Sequence, residues 1–391
     1  MSLLPLSLQR AQELCEFCPK LCHFACPVSE VTFREALTPW AKVSLAAVSG
    51  ESPEPSAALA FAGCTGCLRC QQHCAHHNDV PTTLYAARAA AVRAGTAPAA
   101  WSALAVRFAA VGHGEPEDLA EVHRALEEGE AALAVAEPVR TASAASAKTE
   151  PAETRALLFA GCDALASQPA LVADALSAAR ALGAPLQLMP AAALCCGLKL
   201  VEGGHPELFA AQAARVSAAL AEVSARQLVF LSPGCARAVR DRWPAAGVQL
   251  RAWAGVEHIT SYLLRALLKN PGRARQKLPG AMTFHDPCEL ARGLVETTAP
   301  RALLASALEG GVREPARCAV ETSCCGAGGL LPRTLPEVAQ AMANARKSEL
   351  VLCGAPVVTA SPGCSRALKA DDVVSVVARW LAQSPWKELE P

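Results

Sequence analysis

One block of sequence occurs twice in the second half of this 391-residue chain, and that duplication limits the folds open to it. The first copy opens with the apolar run RALLFAGC ending at Cys162, reaches Cys195, Cys196 and Gly197, and closes with LVFLSPGC at Cys235. The second opens with MTFHDPC at Cys288, reaches Cys324, Cys325 and Gly326, and closes with VVTASPGC at Cys364. Between the first two landmarks lie 32 residues in one copy and 35 in the other, and 38 residues separate the paired cysteines from the last landmark in both. Landmarks kept at such spacing mark a repeated structural unit. Within each copy, short apolar runs bounded by Gly or Pro (LLFAG, QLVFLS) alternate with helix-period stretches (PALVADALSAARALG, PELFAAQAARVSAALAEVSA). That alternation predicts α/β units with short parallel sheets. Ligands in such folds gather beyond the carboxyl ends of the strands. Cys162, Cys235, Cys288 and Cys364 each follow a predicted strand, so all eight repeat cysteines are expected to converge on one edge.

The chain holds eighteen cysteines, and eight more precede the repeats. Cys64, Cys67, Cys70 and Cys74 have the C-x2-C-x2-C-x3-C spacing of a bacterial ferredoxin cluster. Cys15, Cys18, Cys22 and Cys26, followed by Pro27, form a second run with one extra residue between its second and third cysteines. In such pairs three thiolates wrap one cluster and the fourth reaches the other. Two 4Fe–4S clusters are therefore expected, one on Cys15, Cys18, Cys22 and Cys74, the other on Cys64, Cys67, Cys70 and Cys26. Zinc is the competing reading, but zinc ribbons use two C-x2-C pairs about 15–20 residues apart, and four cysteines per run leave a surplus. In the repeats, vicinal cysteines before glycine suit a tight turn that aims both thiols at one ligand. Cys235 and Cys364 follow Pro-Gly at the start of a predicted helix, a position that favours thiolate. Buried thiols or vicinal disulfides are the alternatives there.

The expected fold class is a multidomain α+β protein. A mainly helical, ferredoxin-like two-cluster domain spans residues 1–100. A helix and an Ala/Pro/Ser-rich linker, densest over 138–154, span 101–153, and two tandem repeats span 154–270 and 271–391. Net charge is zero, which leaves no basic field for nucleic acid. The start of the chain carries no signal-peptide pattern and no run is long and apolar enough to span a membrane, so a cytoplasmic protein with reduced thiols is expected. No G-x-G-x-x-G or Walker sequence is present, so neither nucleotide nor flavin is expected in this chain.

Two ferredoxin-type runs followed by two CCG repeats resemble the D-subunit-like proteins of the heterodisulfide reductases, a layout shared by the iron–sulfur subunits of glycolate oxidase and anaerobic glycerol-3-phosphate dehydrogenase. CCGAGG, residues 324–329, is the most specific segment. The resemblance implies an electron-transfer subunit placed between a flavin-containing dehydrogenase and a quinone, a membrane-bound acceptor or a disulfide. It also implies peripheral association with the inner membrane through a partner, and one or two further clusters in the repeats. Reduction of a disulfide at Cys324 and Cys325 is the alternative activity, and a zinc scaffold a more distant one. The heterodisulfide reductases end each repeat with C-x2-C, whereas this chain has Ala238 and Ala367 at the final positions, leaving four possible ligands per repeat. The first repeat also reads CCGLKL rather than CCGxGG. Outside the pattern, Cys318 and Cys353 are expected to be buried thiols. His73, His76 and His77 are expected to be solvated loop residues beside Cys74. His285 and Asp286 in HDPC are expected to relay a proton or to make a structural hydrogen bond.

Overall fold

The short apolar runs of each repeat form strands with both faces covered, as parallel sheets require. A computed structural model describes residues 10, 12–15, 18–136, 156–223, 227–250 and 255–382; the linker expected over 138–154 lies outside them. The first repeat carries β1 (Ala156–Phe159), β2 (Leu186–Leu188), β3 (Gln227–Phe230) and β4 (Val256–His258). The second carries β5 (Met282–His285), β6 (Val312–Arg313), β7 (Val357–Thr359) and β8 (Asp371–Asp372). Both sheets are four-stranded and wholly parallel, in the orders β2-β1-β3-β4 and β6-β5-β7-β8, so the second repeats the topology of the first. In each, the chain leaves the opening strand to one side and crosses back to the other. The switch point therefore lies between β1 and β3, and between β5 and β7.

The residues before the repeats are helical throughout their described length: α1 (Pro39–Ser49), α2 (Pro55–Ala62), α3 (Val80–Arg93), α4 (Ala99–Val111), α5 (Leu119–Ala136) and several shorter turns. Each of α1 to α3 has proline in its first turn, where the missing N–H costs nothing, and α1 and α3 are capped by the Thr38 and Asp79 side chains. Their packed faces are rich in alanine, consistent with an aromatic content of only 4%. Helices α4 and α5 belong to the main core: Trp101, Leu104, Phe108 and Leu119 are buried with residues of both sheets.

Flanking helices join the repeats to each other. α6 (Pro169–Ala181) of the first packs against α11 (Val373–Ala382) of the second, and Ser375 donates to Asp174 across that contact. Between them in sequence run α7 (Pro206–Ala221), α8 (Ile259–Lys269), α9 (Thr298–Ala307) and α10 (Pro336–Val351). One apolar core takes in residues of both sheets, so the repeats are a single packed body.

Candidate metal centres

The switch points place the repeat cysteines. Cys162 opens the short helix Cys162–Ser167 directly after β1, and Cys235 lies in the helix Pro233–Arg237 after β3. Cys288 follows β5, and Cys364 lies in the helix Pro362–Leu368 after β7. The vicinal pairs come in on Gly197 (φ +80°) and Gly326 (φ +86°), whose left-handed backbone makes the turn that presents both thiols. All eight thiols line one shared cavity of about 140 Å³ between the repeats, with Thr65 of the N-terminal region at its edge.

Within it the sulfurs are paired: Cys195–Cys162 at 3.2 Å, Cys196–Cys235 at 3.4 Å, Cys325–Cys364 at 3.3 Å and Cys288–Cys324 at 3.9 Å. These spacings are close to the ~3.8 Å edge expected for two sulfurs on one metal with bonds of about 2.3 Å. The eighteen cysteines are free thiols in this structure, and the cavity sulfurs pair across each repeat rather than within a vicinal pair. Ionising four of the cavity thiols without a cation is unfavourable. Hydrogen bonding to a neighbouring thiol, then burial, pushes Cys162, Cys196 and Cys288 well above the ordinary thiol range. Cys325 is also raised, since the contact with Cys364 and burial outweigh the lowering by Cys324. Cys324 is the exception: as acceptor from Cys288 and Cys67 it is held below its usual value. A buried set of soft sulfur donors that resists bare ionisation fits an iron–sulfur group or zinc.

The N-terminal cysteines gather in two places. Cys26, Cys64, Cys67 and Cys70 line one small cavity with the buried Lys42, whose ammonium donates to the Gly63 carbonyl at 2.5 Å. Burial raises the Cys70 thiol, and Cys67, Cys64 and Cys26 add to the rise. At the other place, burial raises Cys15 against the Asn78 amide, which donates to its sulfur at 3.3 Å, and Cys18 and Cys74 raise it further. Burial pushes Cys22, beside Cys15 and Cys18, up to about 11.

The two kinds of centre meet at residues 63–70. Cys67 packs against the buried cluster that contains Cys324, and Cys324 donates to Thr65 Oγ1 at 3.5 Å. Arginines of both repeats grip the loop: Arg292 donates to the Cys67 carbonyl at 2.7 Å and Arg237 to the Gly66 carbonyl at 3.4 Å. The CCGAGG glycines receive it. A Cβ at Gly328 would stand 2.6 Å from the Thr65 carbonyl oxygen, and one at Gly329 (φ +65°) would collide with that of Cys64. In the first repeat the matching residues are Lys199 and Leu200. The Lys199 ammonium lies at the shared cavity, paired with Glu115, and Cys162, Asp163 and Glu115 keep it protonated against the pull of burial.

Arg88 of α3 ties all three units together. Its guanidinium, fully buried, donates to the carbonyls of Phe61 and Cys64, of Glu202 in the first repeat at 2.7 Å, and of Gly329 in the second at 3.3 Å. Glu202 itself lines the shared cavity, and burial, then Glu289, pushes its carboxyl up to about 7. Sequence spacing gave no sign of Lys42, Arg88, Asn78, Arg292 or Glu202, because none lies in a motif.

Asp286 makes structural hydrogen bonds: it takes a bidentate pair from Arg301 at 2.7 Å and accepts from the Ala319 amide. His76 and His77 are exposed and His73 is half-buried against Glu321, as a solvated loop requires. Cys318 and Cys353 correct the sequence reading. Both are half-buried rather than buried, because each lies in a loop beside α10 instead of under a sheet.

Paired α/β units with cysteines at their switch points define a class, and residues 156–240 and 282–369 both match the CCG cysteine-rich domain. The chain is 30% identical to the D-subunit of dihydromethanophenazine:CoB–CoM heterodisulfide reductase from Methanosarcina barkeri over 238 residues, 58% of each chain. It is 30% identical to that of Methanosarcina acetivorans over 242 residues, 58% of this chain and 59% of the other. The B-subunit of fumarate reductase (CoM/CoB) from Methanothermobacter marburgensis is 26% identical over 183 residues, 46% of this chain and 35% of the other. The chain thus spans a little under three fifths of the length of the first of these relatives. Its two repeats match the CCG domain, and over 58% of its length the chain is similar to the heterodisulfide reductase D-subunits.

Proposed function

We propose that the protein is an iron–sulfur electron-transfer subunit of an oxidoreductase. It receives electrons from a flavin-containing dehydrogenase subunit and delivers them to a quinone or disulfide acceptor. The observation that carries this reading is the packing of Cys67 against the buried cluster of Cys324, whose thiol also donates to Thr65, so that an N-terminal cysteine set lies against a repeat set. Cys15, Cys18, Cys22 and Cys74 would hold one 4Fe–4S cluster, and Cys64, Cys67, Cys70 and Cys26 a second, in a ferredoxin-like N-terminal domain. Each repeat offers four further ligands: Cys162, Cys195, Cys196 and Cys235, and Cys288, Cys324, Cys325 and Cys364. Such clusters supply one-electron transfer at potentials set by hydrogen bonding and exposure. The chain's own residues set the order of approach. Arg292 and the CCGAGG glycines hold the Cys64–Cys70 loop on the second repeat, with Arg237 reaching it from the first, so the second repeat takes electrons first. Lys42 puts a cation beside the same loop and favours thiolate there.

Anaerobic reconstitution, an iron count and EPR of the reduced protein test the reading. Two clusters require about eight irons, and fewer than about four per chain would overturn it. Stoichiometric zinc without iron would establish a scaffold instead. A second reading, disulfide reduction at Cys324 and Cys325, is favoured by the single cavity that all eight repeat thiols line. It requires turnover of a disulfide with an artificial donor that is lost in C324S and C325S.

A further inference from the structure

His285 closes β5 three residues before Cys288, and Phe159 closes β1 three residues before Cys162. Each pairs with the end of the neighbouring strand. Phe159 lies opposite Phe230 and stacks on it with centroids 5.0 Å apart. His285 lies opposite Thr359, whose hydroxyl donates to the His285 carbonyl at 2.9 Å. The same site in the frame is thus apolar in the first repeat and polar in the second.

His285 is fully buried, and one of its ring nitrogens lies with the sulfurs of Cys325 and Cys364 in a group whose members are within 4.8 Å of one another. Arg346 Nε donates to its Nδ1 at 3.1 Å. A guanidinium N–H can only donate, so Nδ1 must accept and the ring proton resides on Nε2. Nε2 has no hydrogen-bond partner among the described residues. With Nδ1 accepting from the guanidinium, the ring carries that one proton and is neutral. Neither nitrogen therefore has a free lone pair for a metal, while an unsatisfied buried N–H is costly unless it finds an acceptor.

We propose that His285 is a positioning residue that donates its Nε2–H to a sulfur of the centre held by Cys325 and Cys364, raising that centre's reduction potential above that of the first repeat. The proposal rests on the reading of the repeats as iron–sulfur sites. Reduction adds one electron to the centre while the proton stays on Nε2. The added negative charge is stabilised by the N–H, as hydrogen bonds to cluster sulfurs generally do. The first repeat has only Phe159 at this place and gains nothing.

The test is potentiometric EPR on anaerobically reconstituted wild type, H285F, H285L and H285Q, with C364S used to identify the second-repeat signal. H285F copies the residue that the first repeat already accommodates, and H285L is a smaller donor-free variant. In both, the oxidised-to-reduced ratio of the second-repeat centre at a fixed potential should rise about tenfold, which for one electron is about 59 mV. The first-repeat centre should stay unchanged, and H285Q, which keeps an N–H donor, should restore most of the shift. An unchanged midpoint in H285F and H285L with iron content intact would overturn the role of His285 alone. Absence of any repeat signal from wild type would instead overturn the reading on which it rests.

Discussion

The two repeats share a strand order and a cysteine plan, yet they differ wherever something outside the repeat touches them. The second carries Gly328 and Gly329 because residues 64 and 65 lie against its backbone. The first carries Lys199 and Leu200 at the same places, with Leu200 buried in the core and Lys199 at the shared cavity. CCGLKL, which on sequence alone reads as a weakened motif, belongs to a first repeat that meets the loop through the Arg237 side chain and not through the backbone of these two residues. Duplication set the frame, and docking on one copy decided which glycines had to stay.

Three substitutions press on that comparison. The largest effect is expected for R88M, which leaves carbonyls of all three units without their donor inside the protein. Stability to denaturant should fall by about 4–5 kcal/mol, the scale of a broken buried network. Gly329→Ala should cost about 3 kcal/mol, combining a left-handed backbone with a collision at Cys64. In the first repeat K199G, at the counterpart of Gly328, should cost only about 1–2 kcal/mol, for helix propensity and one ion pair. Equal costs would refute the docking explanation of the asymmetry.

Glu202 gives a pH signature of similar size. Its folded carboxyl ionises at about 7 against 4.5 as a free side chain, so the unfolded chain gives up its proton first as pH rises. Stability contributed by this group is therefore intact below about pH 4.5 and is lost between there and 7, a fall on the order of 3 kcal/mol. In E202Q most of that slope should vanish from denaturation curves measured between pH 5 and 8. The smallest effect is expected for H76A and H77A. Both side chains are exposed, so stability should stay within about 0.5 kcal/mol and the EPR of the reduced protein should not change.

Much of the repeat architecture was legible in the sequence for a physical reason. Buried parallel strands demand continuous apolar runs such as ALLF and QLVF, and the cysteines follow them at fixed offsets. Helices α6 and α7 were likewise visible as amphipathic periods. What could not be read was long-range. Arg88 looks like any arginine on an alanine-rich helix until Gly329, 241 residues away, closes on it. The tautomer of His285 depends on Arg346, 61 residues on, and the meeting of Cys67 with Cys324 on how helices pack. Cys318 and Cys353 were misjudged because cysteine is usually buried, whereas these two lie in loops beside α10.

The Arg88 clamp also has a consequence for the time in which the chain is made. Translation at about 5–20 residues per second puts Gly329 on the ribosome's output roughly 12–48 s after Arg88. Through that interval the loop bearing Cys64, Cys67 and Cys70 has neither Arg292 nor the second repeat to lie against. Its soft thiols are thus open to solvent and to any metal donor during synthesis, and are walled in once the last repeat folds. The order in which the polypeptide emerges thereby gives the Cys64–Cys70 loop a period of access that docking of the second repeat narrows.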